Sequence, residues 1–156
     1  MTATGGPELD CMPCRNTAAA ELPIRERILQ TDHWRVAHAI GTALPGWLVV
    51  VPTVHVTALT ELDRPAAAEL GTVLHDVSSA LHAVVGCVKT YVVLFAEADG
   101  FSHVHFHVIP RMADQPHELR GPRIFGLLGG PPDSWVSDDE MNRIGAAVHE
   151  VLTAAR

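Results

Sequence analysis

The chain has 156 residues, of which 47% are hydrophobic and 19% charged, a composition typical of one folded globular domain. It carries 11 Lys and Arg against 18 Asp and Glu, so its net charge is −7 with histidine neutral. Because no basic run is present, we expect no nucleic-acid partner, whereas a local site can still bind a small anion. No apolar run approaches the roughly 20 residues that span a bilayer, so we expect no membrane partner.

The N-terminal residues 1–10 are mostly small or polar and predict a flexible tail. This tail has no basic segment followed by an apolar run, so we expect no secretory signal and a cytoplasmic protein. Immediately after it, Cys11 and Cys14 form a CxxC pair. Such a pair occurs in redox dithiols and in zinc sites, and the residues alone leave both possibilities open. The βαβ unit that a thioredoxin-like dithiol requires is not apparent in the sequence.

Short apolar or alternating runs predict strands, and one long run at helical spacing predicts a helix. The strand runs are residues 34–40, 47–51 and 91–95, and a turn at Pro45-Gly46 separates the first two. Between the second and third runs, apolar residues at i, i+3, i+4 and i+7 predict a helix over residues 65–85. Pro65 suits the first turn of this helix, and Gly86 suits its end.

Residues 111–136 are rich in proline and glycine and predict an irregular loop, in which residues 123–125 are a candidate short strand. Ser137 is followed by three acidic residues at capping-box spacing, which predicts the start of a C-terminal helix over residues 137–156. Together these elements predict a single α+β domain over residues 11–156. Its sheet would be mainly antiparallel with about five strands, covered by one long helix and the C-terminal helix.

Three histidines, His103, His105 and His107, alternate with apolar residues. If the whole run is a β-strand, its period of two places all three imidazoles on one face, with neighbours roughly 6.5–7 Å apart. Such a face can bind a metal ion through His-x-His, or an imidazole nitrogen can attack phosphorus and form a covalent phosphoramidate. A third alternating histidine favours the second chemistry, since one imidazole attacks while the others orient it or stabilise phosphate oxygens. Ser102 and nearby backbone amides would then lie close to an anion.

The run His103-Val104-His105-Phe106-His107-Val108-Ile109 resembles the signature of the histidine triad family, in which three histidines alternate with hydrophobic residues. The resemblance extends from residue 11 to residue 111 and includes the CxxC pair, the Pro-Gly turn, a strand ending in Pro52-x-x-His55, and the long helix. It implies the half-barrel-like antiparallel sheet of that family and a homodimer. It also implies hydrolysis or transfer of nucleotidyl groups from phosphoramidates, nucleotide adducts or dinucleoside polyphosphates, through a covalent nucleotidyl-histidine intermediate.

The resemblance implies a role for each candidate site residue. His105, the middle histidine, would be the nucleophile, and His107 would contact phosphate oxygens and help the leaving group to depart. Ser102 would donate a hydrogen bond to phosphate. Ile40 is a candidate for the wall of an apolar nucleotide pocket.

A structural zinc ion is also implied, as in bacterial members of the family that carry a CxxC pair. Its ligands would be Cys11, Cys14, His55 and His103. Two thiolates and two imidazoles make a closed tetrahedral site that stabilises a fold and does no chemistry itself.

Three positions depart from the family pattern. Ala39 stands where an acidic residue often contacts the ribose, Ala96 where an asparagine is usual, and Trp47 where a histidine usually follows the glycine. Two other functions therefore stay open. One is a nucleotide-binding regulatory protein with little or no turnover, and the other is an enzyme with a catalytic metal on His103, His105 and His107.

Overall fold

The computed structural model describes residues 10–156, so the predicted tail lies outside the described residues except for Asp10. Five strands form one sheet in the order β1-β2-β3-β5-β4, and each of its pairings is antiparallel. The strands are β1 (Leu29–Gln30), β2 (Trp34–His38), β3 (Leu48–Pro52), β4 (Lys89–Val93) and β5 (Phe106–Arg111). The prediction of an α+β fold with a five-stranded antiparallel sheet is confirmed.

The α-helices are α1 (Met12–Ala18), α2 (Arg64–Val85) and α3 (Asp138–Ala154). Helix α2 begins where the Asp63 carboxylate accepts a hydrogen bond from the Ala66 amide at 2.8 Å, and it ends at Gly86, whose φ of 68° closes the helix in the left-handed conformation. Helix α3 begins where the Ser137 hydroxyl accepts from the Glu140 amide at 3.2 Å. No helix within residues 10–156 combines the length and the apolar character needed to cross a membrane.

The main core lies between one face of the sheet and the two long helices. Alternate residues of β2, β3 and β5 point into it, as the period of two in a strand requires. They are Trp34, Val36, Leu48, Val50, Phe106 and Val108, and they pack against Val73, Val77 and Leu81 of α2 and Ile144 and Val148 of α3. The indole N–H of Trp34 donates to the Ala66 carbonyl at 3.0 Å. The intervening residues of the same strands face the opposite side of the sheet, where the candidate site lies.

Residues 112–136 cross that opposite side in three short 3₁₀ helices, His117–Leu119, Gly121–Leu127 and Pro132–Ser134. The predicted strand over residues 123–125 is wrong, because these residues lie inside the second of the three. Pro122 explains the difference, since its fixed φ and missing N–H suit the first turn of a helix and not a strand ladder. Ile124 is buried there in a second apolar cluster with Trp47 and Ile109.

The histidine run is a strand only in its second half. Strand β5 begins at Phe106, so His103 and His105 precede it. The Val104 amide donates instead to the Val56 carbonyl at 2.8 Å, which ties the start of the run to the loop after β3. The expectation that all three imidazoles share one face of a strand is therefore wrong.

Candidate active site and metal centre

Four side chains converge where the start of α1 meets the loops after β3 and before β5. They are Cys11, Cys14, His55 and His103, and the nearest ligand atoms of all four lie within 4.8 Å of one another. Both cysteines and His103 are buried, and His55 is half-buried. These are the four residues that the resemblance assigns to zinc.

The distances within this cluster suit a tetrahedral ion. The Nδ1 atom of His103 lies 3.4 Å from the Sγ atoms of both cysteines, and the Nδ1 atom of His55 lies 3.3 Å from that of Cys14. Zinc–sulfur and zinc–nitrogen bonds of about 2.3 and 2.0 Å give tetrahedral S···N edges of roughly 3.5 Å. The Nε2 atom of His103 donates to the Pro52 carbonyl at 3.0 Å, so its Nδ1 lone pair faces the thiols. The residues present fit a zinc ion.

Two other interpretations of these residues find less support in the geometry. The CxxC pair opens α1, and the Sγ atoms of both cysteines lie within 3.4 Å of a histidine Nδ1 atom, which is the environment of a metal site rather than of a redox dithiol. Among the described residues, the cluster that could hold a metal combines His103 with Cys11, Cys14 and His55, and not with the two histidines that follow it. A metal shared by the three histidines of the run is therefore disfavoured.

His105 is oriented by the backbone of the metal-site histidine. Its Nδ1 atom lies 2.8 Å from the His103 carbonyl, which can only accept, so Nδ1 carries the proton and donates. In the neutral ring the lone pair then lies on Nε2. His105 is half-buried and lines a pocket on the outer face of the sheet. An imidazole with a fixed tautomer and an accessible lone pair is suited to nucleophilic attack.

His107 is held in the opposite tautomer by Trp47. The indole N–H of Trp47 can only donate, and it lies 2.9 Å from Nδ1 of His107, so a neutral His107 carries its proton on Nε2. The His107 ring is buried at 7% exposure, and burial, with a smaller effect of nearby His105, lowers its pKa to about 4. The centroids of the two imidazoles are only 4.8 Å apart at 74°. The site therefore places the Nε2 lone pair of His105 beside the neutral Nε2–H donor of His107.

An aromatic wall that the sequence did not reveal stands beside His107. Phe125, in the segment predicted to be an irregular loop, lies edge-on to His107 with ring centroids 5.1 Å apart, and it also contacts Trp47 and Phe95 at 5.2 and 5.3 Å. Trp47 is fully buried in the core, and its indole N–H also holds His107. The sequence offers one sign of this arrangement, which is that Trp47 stands where a histidine is usual in the family.

The pocket has a volume of about 400 Å³, within the range of small-molecule sites. Its lining includes His105, His107 and Ile40, and Ile40 is 47% exposed. It also includes Ala39 and Ala96, two of the three positions that depart from the family pattern. Ser102 is exposed and is not part of this lining, so the structure does not bring it together with the two histidines.

The sequence reasoning also missed His38, which lines the pocket and is buried. Its Nδ1 donates to the Ala39 carbonyl at 2.8 Å, and its Nε2 accepts from the Gly46 amide at 3.0 Å. Burial lowers its pKa, which keeps the ring neutral and able to make both bonds. Because both nitrogens are bound to backbone, His38 holds the Pro45-Gly46 turn and is not available to a substrate.

The lowered pKa of His107 predicts a pH dependence of stability. The pKa of about 4 in the folded protein lies below the ordinary 6.5, so as pH falls the unfolded chain takes up this proton first. The contribution of His107 to the free energy of unfolding is complete above pH 6.5, falls between pH 6.5 and 4 by about 3 kcal/mol at most, and is constant below that. We expect a His107→Gln variant, which keeps an acceptor for Trp47, to lack this component in urea titrations at a series of pH values. Because the two proteins differ only at this residue, parallel curves would contradict the assignment.

The HIT domain family model matches residues 24–114, more than half of the chain. The chain belongs to the histidine triad family. Membership supports the general class of nucleotide-binding hydrolases and transferases, a class in which some members are not catalytic. No curated protein matches the sequence.

Solved structures of other histidine triad proteins share this fold. A Zn-bound histidine triad family protein from Mycobacterium smegmatis is 19% identical, with a TM-score of 0.66 over 94% of this chain and 97% of that one. A hypothetical histidine triad nucleotide-binding protein from Sulfolobus tokodaii is 15% identical, with a TM-score of 0.69 over 92% and 93% of the two chains. A histidine triad protein from Bradyrhizobium japonicum is 20% identical, with a TM-score of 0.66 over 81% and 89%. At these identities the similarity shows the fold.

Proposed function

We propose that this histidine triad protein hydrolyses or transfers nucleotidyl groups, taken from a nucleoside phosphoramidate, a nucleotide adduct or a dinucleoside polyphosphate. The observation that carries the proposal is the pair of fixed tautomers in the pocket. His105 offers the Nε2 lone pair because its Nδ1–H is bound to the His103 carbonyl, and His107 offers an Nε2–H because its Nδ1 is bound to Trp47. A nucleophile beside a hydrogen-bond donor is the arrangement that phosphoryl chemistry needs.

With a phosphoramidate, Nε2 of His105 attacks phosphorus, a new N–P bond forms, and the P–N bond to the leaving amine breaks. The departing nitrogen takes a proton from solvent and leaves as an amine. The His103 carbonyl stabilises the charged imidazole ring through the Nδ1 proton. Water then attacks phosphorus, the bond to His105 breaks, a proton returns to solvent, and the nucleoside monophosphate is released.

His107 assists as a neutral donor. With a pKa of about 4 it carries no charge at neutral pH, so it does not act as an imidazolium acid. Its Nε2–H instead donates to a phosphate oxygen, where negative charge grows during attack. Ile40 and the other apolar residues of the pocket contact the nucleoside. Ser102, which is exposed and outside the pocket lining, stays a weaker candidate for a phosphate contact.

A zinc ion bound by Cys11, Cys14, His55 and His103 is part of the proposal. In such a closed site the ion supplies structural cross-linking. The chain's own residues then connect this site to the chemistry, because His103 uses its Nδ1 for the metal site and its carbonyl for His105. A homodimer and a cytoplasmic location stay predictions that ultracentrifugation and cell fractionation can test.

Incubation of the purified protein with adenosine 5′-phosphoramidate tests the proposed function. We expect release of ammonia and AMP at a rate that a brief exposure to chelator leaves unchanged. Binding of the compound without turnover would favour the regulatory alternative, for which Ala39 and Ala96 are the supporting residues. Inhibition by chelator within the mixing time would favour a catalytic metal.

A further inference from the structure

The pocket is lined mostly by apolar residues, and besides Glu97 and the backbone-bound His38 its polar side chains form two groups. One is the pair of His105 and His107. The other consists of three side chains from different elements, which are Asn16 in α1, Arg35 in β2, and Glu26. Glu26 ends the short 3₁₀ helix Ile24–Glu26 that precedes β1. We call these three residues the polar end of the pocket. Nothing in the proposed phosphoryl chemistry uses them.

The strand register sets the distance between the two polar places. Ala37 of β2 pairs with Val49 of β3, and Val49 pairs with His107 of β5, so these three side chains form one row across the sheet. Arg35 lies two residues before Ala37 on the same face. With strands about 4.8 Å apart and a rise of about 3.3 Å per residue, the Cα atoms of Arg35 and His107 are about 12 Å apart. A nucleoside monophosphate with its phosphate at the histidines would bring its base towards the polar end.

The polar end presents acceptors to the pocket. Asn16 donates its amide to Oε2 of Glu26 at 3.1 Å, and Nη1 of Arg35 lies 3.7 Å from the same oxygen. Arg35 is only 2% exposed, and its Nε and both Nη atoms already donate to the Thr17 hydroxyl and to the carbonyls of Glu26 and Pro13. Within residues 10–156, neither Oε1 of Glu26 nor Oδ1 of Asn16 has a hydrogen-bond partner.

A carboxylate oxygen in a pocket where its side chain is only 16% exposed gains most from a ligand that donates. Among nucleobases, an exocyclic amine supplies such a donor at the edge, as in guanine, adenine and cytosine. Uracil has a carbonyl oxygen where cytosine has its amine, and hypoxanthine has one where adenine has its 6-amine, and such an oxygen faces the carboxylate unfavourably. Guanine carries a 2-amine where hypoxanthine has only hydrogen. The charge and hydrogen bonding of the polar end are therefore suited to discriminating between bases.

We infer that Glu26, supported by Asn16 and Arg35, selects substrates whose nucleobase carries an exocyclic amine. The inference rests on the proposed function for the position of the phosphate. It names a substrate class for the site and makes Glu26 a specificity-determining residue. The Arg35 ion pair fixes the carboxylate in place, because Arg35 is itself anchored to α1.

Two pairs of phosphoramidates that differ only in one amine test this inference. Guanosine and inosine differ by the 2-amine, and adenosine and purine riboside by the 6-amine. We expect kcat/KM to favour the amine by about tenfold or more in at least one pair, as for a charged hydrogen bond. Glu26→Gln should lower that ratio severalfold, whereas Glu97→Gln, which changes an exposed carboxylate elsewhere on the pocket lining, should keep it.

Equal kcat/KM values within both pairs, or a ratio unchanged in Glu26→Gln, would overturn the inference while leaving the proposed function standing. Absence of turnover for all four compounds would overturn the proposed function instead. In that case the affinities of GMP and IMP, and of AMP and purine riboside monophosphate, measured by titration calorimetry, still decide the base preference. If Glu26 had only a structural role, Glu26→Gln would lower the melting temperature and leave the ratio of kcat/KM values within each pair unchanged.

Discussion

Replacing His105 with alanine is expected to reduce kcat/KM for adenosine 5′-phosphoramidate by about 10⁴-fold or more, because the only proposed nucleophile is removed. The fold should survive, since His105 is half-buried and, within residues 10–156, its ring bonds only to the nearby His103 carbonyl. We expect its melting temperature to stay within a few degrees of the wild type. Steady-state kinetics and thermal unfolding, measured on the same preparation, check both statements.

A matched control is His75→Ala, which removes an imidazole whose side chain is 79% exposed on α2. Neither rate nor stability should change in that variant. The covalent step has its own readout, since rapid quenching followed by intact-protein mass spectrometry should detect a nucleotidyl adduct in the wild type and none in His105→Ala. Full activity in His105→Ala, or an adduct that persists in it, would show that another residue attacks phosphorus.

The histidine run illustrates how far the sequence carries the site. Through the resemblance to a family, its spacing predicted separate roles for His103 and His105, and the structure places His103 in the Cys/His cluster and His105 in the pocket. The period of two applies where a strand ladder exists, and the ladder starts at Phe106. Upstream, Val104 bonds to Val56, which lets His103 turn to the cysteines while His105 approaches His107. This hydrogen bond joins backbone groups that are far apart in the chain, so no pattern of hydrophobic residues in the sequence predicts it.

The two long helices could be predicted because the residues that specify them lie within the helices or next to their ends. Helix α2 carries its own cap, stripe and terminal glycine, and α3 carries its own capping serine, so each is specified within its own residues. The polar end and the aromatic wall are specified by contacts between distant segments. Glu26 and Phe125 line the pocket because the sheet and the 3₁₀ segments bring distant parts of the chain together, and neither residue lies in a recognisable motif.

Removal of zinc is the second change with a large expected effect. We expect one zinc per chain in the purified protein, measured by plasma emission spectrometry. Cys14→Ser should abolish binding and lower the free energy of unfolding by about 3 kcal/mol or more, because metal affinity in such a site is also folding energy. The Sγ atom of Cys14 contacts both histidine ligands, so serine at this position disturbs the whole cluster.

Cys87→Ser separates this effect from the loss of a buried thiol. Cys87 is as buried as the ligand cysteines but lies outside the cluster, so its variant should keep zinc and lose only packing energy. Activity should fall with the slow departure of zinc in chelator, because freeing His103 also frees the carbonyl that orients His105. The loss should therefore appear in kcat more than in KM. A zinc-free preparation with full stability and full kcat would contradict the role of the metal centre, since it would show that His103 holds the nucleophile without its four-ligand anchor.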